Sequence, residues 1–197
     1  MSLLVKVCGL SEEQHVNAAI DAGAGAVGFV FAESVRSITP ARAAEICGNV
    51  PAYVRRVAVM LHPTNEEWRD VLRNFDPDIL QTDAEDFKSL DVPGTVDCWP
   101  VYREGRARPD TDGVYVYEGP KSGRGEVVDW SNAANFAACG RLILAGGLAE
   151  HNIALAVSTT RPYGVDVSSG VEIALGQKSS ELIQEFVIAA TAAGKDV

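Results

Sequence analysis

Lys6 and Cys8 stand two residues apart in the apolar run Leu3 to Cys8, near the start of a chain of 197 residues. In an extended strand that spacing puts both side chains on one face, an ammonium beside a thiol. A cation can bring the pKa of a thiol down towards neutrality, and the lysine is one group able to do so. On residue type alone, a small cysteine packed in a core is the simpler reading. Two further clusters suit an anion. Ala145-Gly146-Gly147-Leu148 and Ser168-Ser169-Gly170-Val171 each follow an apolar run and lead towards a helix. Small residues let backbone N–H groups approach a phosphate, and a helix start adds a favourable dipole. Ordinary strand-to-helix turns are the plainer alternative for each pair. Asp166, beside the second cluster, is placed either to bond hydroxyl or amino groups of a ligand or to cap the next helix.

These residues recur at one kind of place. The chain alternates apolar runs with helical patterns. Leu3 to Cys8 is followed by Ser11-Glu12-Glu13, a helix start, and a pattern that Gly23 ends. Strands are then expected at Ala26–Phe31, Val57–Leu61, Asp78–Gln81, Thr95–Val101, Gly113–Tyr117, Arg141–Ala145 and Gly164–Val167. Helices are expected after Thr39-Pro40, from Thr64 to Phe75, near Asp83–Leu90, from Ser131, over Ala149–Ser158 and over Ser180–Ala193. The segment Arg103 to Asp112, with Gly105 and Pro109, has weak helical character. Near-continuous apolar strands alternating with helices imply a parallel sheet covered by helices. Eight units, and no GxGxxG after the first strand, favour a closed barrel over an open sheet. The predicted fold is α/β, a single (β/α)8 TIM barrel over residues 1–197 with a shortened or irregular fifth helix.

Reactive groups of such a barrel lie at the C-terminal ends of its strands. In this chain those positions hold Lys6 and Cys8, Phe31 to Arg36, His62, Gln81 and Asp83, and Glu118. They continue with the glycine-rich stretch carrying Gly123 and Gly125, then Gly146-Gly147, then Asp166 to Gly170. Glycines and Lys121 make the loop after the sixth strand the better candidate for a lid.

The formal net charge of −10, with no basic cluster to offset it, argues against a nucleic-acid partner. Cys8, Cys47, Cys98 and Cys139 are widely spread without metal-type spacing, so no metal is expected. No apolar stretch reaches the length of a membrane span, and no signal-type segment is visible at the start. The expectation is a cytoplasmic protein with a small-molecule substrate, monomeric or homodimeric, with no membrane partner.

The segments VKVCGL, GAVGFVFAESVRSITPARA, ILAGGLAEHNIALAV and GVDVSSGVE, in this order and spacing, resemble the signature stretches of phosphoribosylanthranilate isomerases of tryptophan biosynthesis. The similarity runs from Val5 to Phe186, and VDVSSGVE is its most specific part. The resemblance implies an Amadori rearrangement of N-(5-phosphoribosyl)anthranilate, an aminoaldose phosphate, to a 1-deoxyketose phosphate, without metal or organic cofactor. It puts Cys8 on the family's general base and Arg36 on the arginine near the anthranilate carboxylate. A guanidinium suits that task because it holds a carboxylate in two parallel bonds. Lys6, Gln81, Asp83 and Asp166 are expected at the substrate, and Gly123, Gly125, Gly146, Gly147, Ser168, Ser169 and Gly170 at its phosphate.

Three positions depart from the family pattern. The general acid is usually an aspartate after the sixth strand, before a glycine loop and an FDW motif. Here VYVYEGPKSGRGEVVDW places Glu118 there, one methylene longer, with Asp110 and Asp112 as fallbacks. The usual LQLHG reads Leu80-Gln81-Thr82-Asp83-Ala84, and His62 replaces an asparagine after the third strand. Two alternatives follow. One is a non-catalytic or diverged sugar-phosphate-binding barrel. The other is the related aminoaldose isomerase of histidine biosynthesis, against which Cys8 argues, because that enzyme usually carries an aspartate in the first position.

Overall fold

The computed structural model describes residues 3–106, 109, 112–120 and 125–195. Eight parallel strands close into a barrel in chain order: β1 (Leu4–Cys8), β2 (Ala26–Val30), β3 (Arg55–Val59), β4 (Ile79–Asp83), β5 (Asp97–Arg103), β6 (Val114–Glu118), β7 (Arg141–Leu144) and β8 (Gly164–Val167). The ring closes where β1 pairs with β8, Lys6 opposite Asp166. The helices are α1 (Glu13–Asp21), α2 (Pro40–Ile46), α3 (Asn65–Phe75), α4 (Trp130–Ala137), α5 (Glu150–Thr160) and α6 (Ser180–Ala193). No described helix is long and apolar enough to cross a membrane.

Local chemistry accounts for the helix starts. Thr39 and Thr64 accept bonds from Arg42 N–H and Glu67 N–H, and Glu67 returns the bond to Thr64 in a capping box. In α3, Trp68, Val71 and Phe75 recur every three to four residues, and all are buried against the barrel. Phe75 meets Phe29 of β2 edge to face at 5.2 Å between ring centres. This outer core is distinct from the filling of the barrel, where Ala26, Val57, Ile79, Trp99, Val101, Val116 and Ile143 pack together. The inward set follows the period of two along each strand, and it continues upward into Cys8, Gly28, Gln81, Asp83, Arg103, Glu118 and Asp166. One alternation therefore decides both what fills the barrel and what faces its C-terminal mouth.

The weak helical region is larger than the sequence pattern suggested. After β4 there is one 3-10 turn, Asp86–Lys88, in place of a short helix. Between β5 and β6 no helix occurs among the described residues. After β8 a 3-10 turn, Ser169–Val171, leads into a small hairpin, β9 (Glu172–Ala174) and β10 (Gln177–Lys178), before α6 begins. That hairpin was not anticipated. Strand β5 extends two residues beyond its expected end, so Arg103 belongs to the strand and not to the loop after it.

Candidate active site at the barrel mouth

A pocket of about 370 Å³ opens at the C-terminal ends of the strands and is lined by Cys8, Arg36, Gln81, Asp83, Glu118 and Asp166 together with Gly125, Gly146, Gly147, Ser168 and Ser169. The structure thus gathers nearly all the residues singled out from the sequence. Lys6 lies one layer below, fully buried. Gly170 backs the wall: a Cβ on it would overlap the Leu148 carbonyl. Gly123, Lys121 and Asp110 lie outside the described residues.

Lys6 Nζ is 2.9 Å from Asp166 Oδ1 across the β1–β8 seam. The two atoms meet as an ion pair without hydrogen-bond angles, so both retain hydrogen-bonding capacity inside the barrel. Gly28 of β2, opposite Cys8 in the ladder, makes room for this layer. A Cβ there would come within 3.0 Å of both Cys8 Sγ and Lys6 Cε. Burial pushes the Cys8 thiol above its ordinary pKa, and the nearby Lys6 charge offsets this only in part. The expectation that Lys6 brings the thiol down towards neutrality is corrected to that extent: the lysine acts in that direction, but desolvation outweighs it, and Asp166 works against it. Gln81 adds a buried side-chain oxygen that lacks a partner among the described residues.

On the opposite side, Arg103 is clamped between two carboxylates. It donates from Nε and Nη2 to Asp83 at the end of β4, and from Nη1 to Glu118 at the end of β6. All three are inward positions of neighbouring strands, with Arg103 directly opposite Glu118 in the ladder. His62, in a left-handed conformation after β3, has Nδ1 2.9 Å from Asp86 Oδ1 and Nε2 3.8 Å from Asp83 Oδ2. The bond to Asp86 raises the His62 pKa. His62, Asp83 and Glu85 bring potential metal ligands within 4.8 Å of one another. Asp83 already spends both oxygens on Arg103, whose positive charge opposes a cation there.

The glycine-walled side of the pocket is built by three loops. After β6, β7 and β8 they approach so closely that a Cβ on Gly125 would lie 2.7 Å from Ser169 Oγ, and one on Gly147 2.7 Å from Val127 N. Gly125, Gly146 and Gly147 also have positive φ, which a side chain would strain. Beneath them runs a buried ionic network that sequence reasoning missed. Arg36 donates from Nε and Nη2 to both oxygens of Glu172, at 2.6 and 2.9 Å. Lys178 donates to Glu172 (2.8 Å), to the Ser168 carbonyl (2.8 Å) and to the Ser168 hydroxyl (3.1 Å). Burial works against the Glu172 charge, but these bonds overcome it and hold the carboxyl at about 2.

Arg103, Glu172, Lys178, Gly28 and Asp86 are therefore the additions from structure. Arg103 was legible in principle: the alternation Trp99, Val101, Arg103 continues the inward face, but Glu104-Gly105 reads as a loop. Lys178 had no signal, because the hairpin carrying it left none in the apolar pattern.

Fold and site together define a (β/α)8 barrel with a polar, glycine-walled pocket at its C-terminal mouth, where enzymes of this architecture do their chemistry. Comparison with known proteins makes this particular: the chain belongs to the PRAI family, whose model, described as N-(5'phosphoribosyl)anthranilate (PRA) isomerase, matches residues 5–189. A relative from Hahella chejuensis named N-(5'-phosphoribosyl)anthranilate isomerase is 39% identical over 196 residues, covering 92% of this chain and 91% of its own. The crystal structure of phosphoribosyl anthranilate isomerase from Thermus thermophilus superposes with a TM-score of 0.84 at 29% identity, over 96% of this chain and 99% of the other. A second PRAI structure, in complex with reduced 1-(o-carboxyphenylamino)-1-deoxyribulose 5-phosphate, gives 0.78 at 27% identity, over 96% and 99%.

Proposed function

We propose that this chain, read as one barrel domain working in the cytoplasm, isomerises N-(5'-phosphoribosyl)anthranilate in tryptophan biosynthesis. The observation that carries the proposal is the union, in one pocket, of Cys8 and Glu118 with the three glycine loops. The loops would hold the phosphate through backbone N–H groups, with Ser168 and Ser169 beside them. Arg36, oriented by Glu172, would face the anthranilate carboxylate.

Glu118 as acid gives its proton to the furanose oxygen while the C1'–O bond breaks and the anthranilate nitrogen lone pair forms a C=N bond. Cys8 as thiolate then removes the C2' proton, and the C–H electrons flow towards the iminium nitrogen to give an enolamine. Tautomerisation yields the 1-deoxyketose. Asp166, held by Lys6, is placed to bond the sugar hydroxyls or the amino group. The protein's own groups set the charge balance the other way, since burial favours the Cys8 thiol and an arginine neighbour favours an ionised carboxylate. The reactive form, thiolate with carboxylic acid, is then a minority that substrate binding has to select.

Purified protein supplied with fresh phosphoribosylanthranilate should quench its fluorescence as product forms. Cys8→Ala should abolish conversion, and the wild-type gene should rescue a tryptophan auxotroph. A wild-type protein that binds a product analogue yet leaves the substrate unchanged would instead establish a non-catalytic barrel. Full activity in Glu118→Gln would remove Glu118 as the acid.

A further inference from the structure

The Asp83–Arg103–Glu118 row lies across three adjacent strand ends, and two of its members stand where the family resemblance leads one to expect other residues: aspartate in place of the histidine of LQLHG, and glutamate in place of aspartate. We infer that Arg103 is the positioning residue of the proton donor and that Asp83 is its counterweight, a reading that rests on Glu118 being the acid. Glu118 carries one methylene more than an aspartate, so its carboxyl has an extra torsion to lose before it can address a ring oxygen. Arg103, 9% exposed and opposite it in the β5–β6 ladder, anchors the carboxyl laterally through Oε1.

An undivided arginine contact would defeat the purpose, because a guanidinium favours the ionised carboxylate, which has no proton to give. Asp83 answers this. It takes Nε and Nη2 of the same guanidinium and adds a second negative charge beside the acid. Both effects return proton affinity to Glu118 while the anchor stays in place. Aspartate and arginine thus act in opposite directions on one carboxyl. Among the described residues, the other charged groups facing this side of the pocket are Glu33 and Arg36 from the loop after β2, Glu126 from the loop after β6, and Asp166 of β8. His62 reaches Asp83 from β3 and is itself held by Asp86.

The test is a direct titration of Glu118 in the ligand-free protein, using glutamate labelled with carbon-13 at Cδ and assigned by the signal missing from Glu118→Gln. In Arg103→Met the Glu118 titration should move up by about 1–3 pH units, the span typical of a close opposite charge. In Asp83→Asn it should move down. Under turnover, Arg103→Met should lose kcat by about 100-fold, the scale of an ångström-size misplacement, with KM changed far less. Arg103→Lys, which restores the charge without the fork, should recover part of that loss and serves as the second variant if methionine impairs folding. Titrations that stay put in all three variants, or that move the same way in Arg103→Met and Asp83→Asn, would overturn the inference. Should Glu118→Gln be inactive while Arg103→Met keeps the wild-type kcat, the positioning role fails and the acid assignment stands. A fully active Glu118→Gln fails the assignment itself.

Discussion

Replacing Lys6 by methionine tests the buried ion pair at the base of the pocket. The two side chains have similar volume, so the packing of the layer is largely retained. What disappears is the only cation within contact of Asp166 Oδ1, among the described residues, at a position with no exposure on the lysine side. Removing one partner of a buried pair leaves an uncompensated charge and costs about 3–5 kcal/mol. For a chain of this size that is roughly 6–20 °C in Tm. The cost should depend on pH. Burial already lifts the Asp166 carboxyl above its ordinary value, with Lys6 opposing that lift, and without Lys6 it rises further. The folded protein then holds a proton that the unfolded chain has released. Stability therefore falls as pH rises from the ordinary aspartate value to the raised folded one, by about 1.4 kcal/mol per pH unit. Urea unfolding followed by tryptophan fluorescence at pH 5, 6.5 and 8 should show a deficit that is small at pH 5 and largest at pH 8. Adding Asp166→Asn to Lys6→Met should recover much of it, since the orphan charge is gone. A deficit below about 1 kcal/mol at pH 8, or one that stays flat across this range, would refute the electrostatic account of this layer.

Three further outcomes are expected. Glu172→Gln should lower stability at pH 7 by roughly 3 kcal/mol, because the native carboxyl sits at about 2 against an ordinary 4.5. That contribution is present above the unfolded value and is lost as pH falls through the folded one, so the gap to wild type should close in acid denaturation below pH 4.5. Gly170→Ala forces a Cβ onto the Leu148 carbonyl and separates the loops after β7 and β8. Inorganic phosphate should then inhibit turnover more weakly and KM should rise, whereas unchanged phosphate inhibition would take Gly170 out of the anion site. Thiol titration of the native protein near pH 8 should find Cys98 and Cys139 accessible and Cys8 and Cys47 slow, with burial holding Cys47 at about 12. Rapid labelling of Cys8 would contradict the raised thiol pKa.

Much of the fold was legible because its signals are local. Capping threonines, a proline at the first turn of α2, and apolar runs of strand length each act within a few residues. The stretch from Asp83 to Gly113 was least legible. There, among the described residues, the barrel has turns and loops in place of helices, and a polar segment without periodicity does not reveal where a strand stops. Arg103 was assigned to the wrong element for that reason.

By itself the sequence determined which residue types reach the mouth. The period of two in each strand puts Lys6, Cys8, Gln81, Asp83, Glu118 and Asp166 on the inner face, and glycines at the strand ends leave room for an anion. Only the tertiary structure decided which of these charges meet. Lys6 and Asp166 are 160 positions apart in sequence and touch because β1 closes onto β8. Arg36 meets Glu172 because the hairpin after β8 packs against the loop after β2, where a Cβ on Gly176 would lie 3.0 Å from the Val35 carbonyl oxygen. Glu118 shares Arg103 with Asp83 because three strand ends come level. Spacing along a chain sets the face a side chain points to. Its protonation and its partners depend on desolvation and on charges brought near by barrel closure, which is why Lys6 and Cys8 share a face and the thiol nonetheless remains high.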